Sequence, residues 1–131
     1  MRLIHGEVTD AILAVYYELY NELGWGFSES VYGSVMASLL AQRGLTVERE
    51  QVLRVRFRGE DHGEFRADLV VAGRVLIELK SCKQIIPAHE AQLLNYLRAS
   101  GLEVGLLLNF GPKPEIRRLV WSQTSRRLEV S

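Results

Sequence analysis

The chain is expected to fold as an α/β protein with a mixed central β-sheet flanked by helices, and three observations lead to this. Two stretches near the N-terminus repeat apolar residues every three or four positions, the period of a helix with one buried face. A middle stretch alternates apolar and polar residues with period two, the mark of strands buried on one side. A later run, Val104 to Phe110, is almost continuously apolar, as a central strand covered on both faces would be.

The elements follow in order. Val8, Ile12, Val15, Leu19 and Leu23 form one stripe of a first helix, roughly Glu7 to Leu23, which Gly24 ends. Gly24-Trp-Gly-Phe27 is a turn, and Ser28 caps a second helix carrying Val31, Val35, Met36, Leu39 and Leu40. Gly44 stops it. Val47 to Glu50 reads as a short strand. Val52 to Arg58 reads as a longer one, with Val55 and Phe57 inward and Arg54, Arg56 and Arg58 outward. Gly59 to Gly63 is a turn. A hairpin from Phe65 to Lys80 follows. Pro87 suits the first turn of a third helix reaching about Ser100, with Gly101 beyond it. After the central strand, Gly111-Pro-Lys-Pro114 turns into an edge strand, Ile116 to Trp121. Helices therefore flank strands of both kinds of connection.

The hairpin carries the most informative chemistry. Leu69, Val71, Val75, Ile77 and Leu79 alternate, and a three-residue loop, Ala72-Gly73-Arg74, keeps that alternation in register. Val71 then opposes Val75, Leu69 opposes Ile77, and Asp68 opposes Glu78. A two-residue loop would bury a carboxylate, because a slip of one residue flips every side chain. In the preferred register Asp68, Glu78 and Lys80 project together. Like charges directly opposed destabilise a strand pair. The two acids must be separated by a local bend or held by a cation, and a divalent metal with oxygen ligands would reconcile them.

Composition narrows the setting. The chain has 131 residues, enough for one domain with one core, with 47% hydrophobic and 24% charged residues. No apolar run is long enough to span a bilayer. Met1 to His5 lead straight into the first helix, so no signal peptide is expected. The single cysteine, Cys82, excludes an internal disulfide and suits a cytoplasmic location. With 16 basic and 16 acidic residues the net charge is zero, so any nucleic-acid contact must come from a local basic patch.

Further polar groups fall on helix faces. Glu29 and Tyr32 are three apart in Gly26-Phe-Ser-Glu29-Ser-Val-Tyr32 and share a face, although an acid there also simply complements the helix N-terminus. His89, Gln92 and Tyr96 share a face of the third helix, opposite Leu93 and Leu97, as a site or as a solvated stripe. Arg54, Arg56 and Arg58 are either the wet side of a strand or contacts for a phosphate backbone. Arg117, Arg118, Arg126 and Arg127 form a second basic cluster. Trp25 and Phe27 are expected to pack rather than to stack on bases. Cys82 reads as a small, at least half-buried residue. The three histidines lack the spacing of a zinc site.

Taken together, Asp68 and Glu78-Leu79-Lys80 resemble the Asp and Glu-x-Lys core of the PD-(D/E)xK nuclease superfamily. Glu29 on a preceding helix and Gln92-x-x-x-Tyr96 on a following one resemble its RecB-like branch. Gly26-x-x-Glu29-x-x-Tyr32, Pro87 to Tyr96 and Gly105 to Gly111 are similar to the GxxExxY family within it. The resemblance runs from about Val8 to Trp121, although Phe65-Arg-Ala rather than a proline precedes Asp68. It implies a restriction-endonuclease-like core of order αβββαβ in a single domain. It also implies a metal-dependent nuclease, with Glu29, Asp68, Glu78, Lys80, Gln92 and Tyr96 as catalytic residues. Asp68, Glu78, Glu29 and the Leu79 carbonyl would bind Mg²⁺, with Mn²⁺ as a substitute. His89 and the arginines Arg54, Arg56 and Arg58 would contact nucleic acid, DNA ahead of RNA, and a homo-oligomer would enlarge the recognition surface. The rival readings are a binding module that holds nucleic acid without cutting it and an assembly subunit with a vestigial site.

Overall fold

The computed structural model describes residues 4–122 and the backbone of residues 127–130. Helices α1 (Gly6–Leu23) and α2 (Glu29–Gln42) precede strands β1 (Val47–Phe57), β2 (Glu60–Val71) and β3 (Val75–Lys80). Helix α3 (Pro87–Ser100) leads into β4 (Val104–Phe110), β5 (Pro114–Ser122) and β6 (Arg127–Val130). The six strands lie side by side in chain order. All neighbours are antiparallel except β3 and β4, which run parallel because α3 carries the chain back across the sheet between them.

Each sheet face has its own core. Ile12, Val15, Tyr16 and Leu19 of α1 and Tyr32, Met36 and Leu40 of α2 pack on Leu69, Val71, Ile77, Leu79, Leu106 and Leu108. Leu93 and Leu97 of α3 pack on Val70, Leu76, Leu107 and Leu119 from the other side. The strand alternation decides which side chain meets which helix. At Gly105 a Cβ would lie 2.8 Å from the Leu93 side chain, so glycine lets α3 sit close to β4. Among the described residues no helix is long and apolar enough to cross a membrane.

The hairpin register is the expected one: Leu69 opposes Ile77, Val70 opposes Leu76 and Val71 opposes Val75. Several expectations need correction. The two strand segments before Arg58 form one strand, β1, bent at Glu50, whose φ is 49°. Arg58, at φ 52°, belongs to the turn with Gly59, and β2 resumes at Glu60 instead of after Gly63. Val55 and Phe57 do not face a core. They are 38% and 61% exposed, because the outer half of the β1–β2 hairpin overhangs the sheet and meets water on both faces. Finally, β5 is not an edge strand, since β6 pairs outside it and the edges are β1 and β6. Leu23 and Val31, assigned to apolar stripes, are 40% exposed. Arg126 lies outside the described residues, as does the side chain of Arg127.

Candidate active site

Strands β2 and β3 pair as far as Leu69 and Ile77, and at the next position their side chains take over from the ladder. The Leu79 N–H donates to Asp68 Oδ2 at 2.7 Å, and the Asp68 N–H donates to Glu78 Oε1 at 3.3 Å. The two carboxyls are thus seated in the backbone groups that the splaying strands leave unpaired. Glu78 is buried at 7% exposure, and Asp68 is half-buried. Neither forms an ion pair among the described residues.

Their titration reflects that shortage of positive charge. Burial, followed by the repulsion of Asp68, pushes Glu78 up to about 8. Burial also raises Asp68, against the Leu79 N–H bond that lowers it. With Glu78 held near 8, the buried pair retains a proton at neutral pH. The strand pairing ends at Leu69 and Ile77, just before the two acids, and a retained proton stands where a cation would relieve their repulsion.

Glu29 arrives from the first turn of α2. Ser28 caps that helix through a bond from the Val31 N–H. Tyr32 does not share a site face with Glu29. It is fully buried, its ring stacks on Phe110 at 3.8 Å, and its hydroxyl donates to the Gly24 carbonyl and accepts from the Phe27 N–H. Gly26 in this turn has φ 106°, which a side chain would strain. The glycine and tyrosine therefore shape the turn, and the turn presents Glu29. Glu29 Oε2 accepts from the Ser81 N–H, while Ser81 Oγ donates to the Phe27 carbonyl at 2.6 Å. That clips the turn to the end of β3. Glu29 and Asp68 line one cleft of about 220 Å³, together with Leu79, Gly33 and Arg49.

Lys80 follows on β3, half-buried and without an ion pair among the described residues, and its charge acts on Asp68, Glu78 and His89. His89 Nδ1 accepts the Ile86 N–H at the start of α3, which leaves the ring proton on Nε2. Burial and Lys80 lower its pKa, with Glu29 opposing them. Burial, then Glu78 and Asp68, raise the Tyr96 phenol, and its ring stacks on Phe65 at 4.0 Å. Gln92 is exposed and makes no hydrogen bond among the described residues, so the structure does not tie it to Lys80. Arg54 is engaged with Asp61 at 2.7 Å and with Glu64, whereas Arg56 forms no ion pair among the described residues. Trp25 and Phe27 are 59% and 47% exposed, contrary to the expectation that they pack.

Two features escaped sequence reasoning. Arg49 lines the Glu29–Asp68 cleft, its guanidinium donating to the Ser30 carbonyl and lying over Gly33. Only the pairing of Arg49 with Leu69 brings it there. The second is a buried polar clamp behind the loop leaving β3. The Asn109 side chain accepts from the Cys82 N–H and donates to the Cys82 carbonyl and Glu115, while Glu115 accepts from the Ile85 N–H. Tyr16 bridges the Asn109 carbonyl and the Glu115 N–H. A polar residue amid an apolar strand was the available signal.

The donor set fits a hard divalent cation. Two acidic side chains lie side by side, and each has one oxygen oriented by a backbone N–H, while the burial of Glu78 favours a retained proton in the absence of a cation. No group of three His, Cys, Asp or Glu side chains among the described residues is placed to hold an ion. Glu29 therefore does not join the pair as a third direct ligand in this geometry. An ion on Asp68 and Glu78 would complete its shell with water and backbone oxygen, as Mg²⁺ commonly does.

Comparison with known proteins agrees with this geometry. A family model described as the PD-(D/E)XK nuclease superfamily matches residues 6–119. A solved structure, the crystal structure of SSO0001, is similar over 90% of this chain with a TM-score of 0.54 and 20% identity. This chain covers 60% of that one, and at such identity the likeness concerns the fold alone. No curated protein matches the sequence.

Proposed function

The chain belongs to the PD-(D/E)XK nuclease superfamily, and on that premise we propose that it is a metal-dependent nuclease that hydrolyses phosphodiester bonds. The observation that carries the reading is the Asp68–Glu78 pair at the end of the strand pairing, with Lys80, which forms no ion pair among the described residues, beside it. A binding module has no need of two repelling carboxylates whose close approach costs stability.

Asp68 and Glu78, with the Leu79 carbonyl, would hold Mg²⁺ or Mn²⁺, and Glu29 would reach the ion through water. The bound ion would supply Lewis acidity that eases deprotonation of water and takes up charge on the phosphate. The chain's own groups do the rest. The Asp68 and Glu78 carboxyls must both be ionised, so Glu78 gives up its proton first. Lys80 places an ammonium where phosphoryl charge grows and orients the attacking water, with Lys80 or a second phosphate as base. Tyr96 and Gln92 position the scissile backbone, and His89 offers its Nε2–H to a phosphate. Arg49 and Arg56 add positive charge along the path. DNA, ahead of RNA, is the substrate, in the cytoplasm, with a homo-oligomer extending the small surface. The Gly26, Glu29 and Tyr32 arrangement supports placement in the RecB-like branch and its GxxExxY family.

The test is a digestion panel of plasmid and of DNA and RNA oligonucleotides with Mg²⁺, Mn²⁺ or EDTA. Wild type should cut with metal and not with EDTA. Lys80→Ala should lower the rate by a factor of ~100 to ~1000 while leaving the fold and metal binding intact. Tight binding without any metal-dependent cleavage would return the binding module to first place.

A further inference from the structure

The β1–β2 hairpin that overhangs the sheet encloses, with α3, a groove of about 450 Å³. Val55, Arg56, Phe57 and Phe65 of the hairpin and Tyr96 and Arg98 of α3 line it. No carboxylate lines it. Arg56 and Arg98 form no ion pairs among the described residues, and Arg98 lies 4.9 Å from the Trp121 ring centre. Phe57 is the most exposed large hydrophobic residue described, at 61%. Arg58 sits 5.1 Å from its ring centre, and a base on the opposite ring face would extend that stack. Tyr96, one of the groove's lining residues, stacks on Phe65 at 4.0 Å. Phe65 precedes Asp68 by three residues of one strand, about 10 Å.

An exposed aromatic ring and guanidinium groups without ion-pair partners among the described residues, with no carboxylate lining the groove between them, match one chemistry. Unpaired bases stack on the ring while their phosphates meet the cations, whereas a duplex keeps its base faces within its own stack. We propose that this groove binds a single-stranded stretch of nucleic acid through base stacking on Phe57 and charge contacts with Arg56 and Arg98, and so delivers single-stranded substrate to Asp68 and Glu78. The proposal deepens the nuclease reading and rests on it for the word substrate, but not for the binding.

The test is fluorescence anisotropy with the whole chain in EDTA, where nothing is cut. The probes are a labelled oligothymidylate, a duplex of the same length, and a strand of abasic sugar-phosphate. The oligothymidylate should bind at least tenfold more tightly than either other probe. Phe57→Ala should lose about tenfold for the oligothymidylate and little for the abasic strand, while Phe57→Trp retains binding. Because Phe57 projects into solvent, the alanine variant should keep its fold, which circular dichroism checks. Equal affinity for all three probes, no binding of the oligothymidylate, or an unaffected alanine variant would overturn the proposal. The two ideas fail separately. Metal-dependent cleavage with no stacking-dependent binding removes the groove alone, and stacking-dependent binding with no cleavage removes the nuclease alone.

Discussion

Replacing Glu78 by glutamine should stabilise the metal-free protein, and increasingly so as pH rises. Burial and Asp68 hold the Glu78 carboxyl at about 8 against an ordinary 4.5. A carboxyl raised in this way keeps its proton in the folded state at pH values where the unfolded chain has released it. Stability is therefore unaffected below about pH 4.5, falls as pH rises toward 8, and carries the full cost above 8. At 1.36 kcal/mol per pH unit, the cost is about 1 kcal/mol at pH 5, about 3 at pH 7 and somewhat over 4 beyond pH 8. Glutamine keeps an oxygen for the Asp68 N–H and never ionises. The assay is urea unfolding in EDTA from pH 5 to 8, with wild type and variant side by side so that other titrating groups cancel. The difference in stability should widen by roughly 3 kcal/mol across that range. Parallel profiles, or a variant that loses stability as pH rises just as wild type does, would refute the account of a Glu78 carboxyl raised by burial and by Asp68.

Asp68→Asn should abolish calorimetric binding of Mn²⁺ while the Leu79 N–H keeps an oxygen acceptor, and equal binding in both proteins would remove the rationale of the site. Tyr32→Phe should keep the stack on Phe110 yet leave the Gly24 carbonyl and the Phe27 N–H without their partner. The expected loss is about 1 to 3 kcal/mol in urea unfolding, with faster amide exchange at Phe27. An unchanged Phe27 amide would mean that the hydroxyl does not hold the turn that presents Glu29.

The sequence by itself determined the α/β class, the extents of α1, α2 and α3, and the β2–β3 register with Asp68 beside Glu78. Each of these rests on local information: apolar period, a capping serine or glycine, and a loop length that fixes which residues oppose each other. It also singled out Lys80 and Glu29 as candidates, because spacing of two on a strand and a place in a helix's first turn are readable one element at a time. Tertiary structure decided the rest. It turned Tyr32 inward, since a phenol finds its ring partner on β4 and its hydrogen bonds in the turn before α2. It brought Arg49 into the Glu29 cleft through a strand pairing that no periodicity encodes. It left Val55 and Phe57 in water although their pattern is that of a buried face, because alternation records which side chains could share a face and only the reach of the neighbouring α3 and sheet decides whether that face is covered. It also raised the Glu78 carboxyl, because a carboxyl's charge depends on the burial and the neighbours that folding gives it.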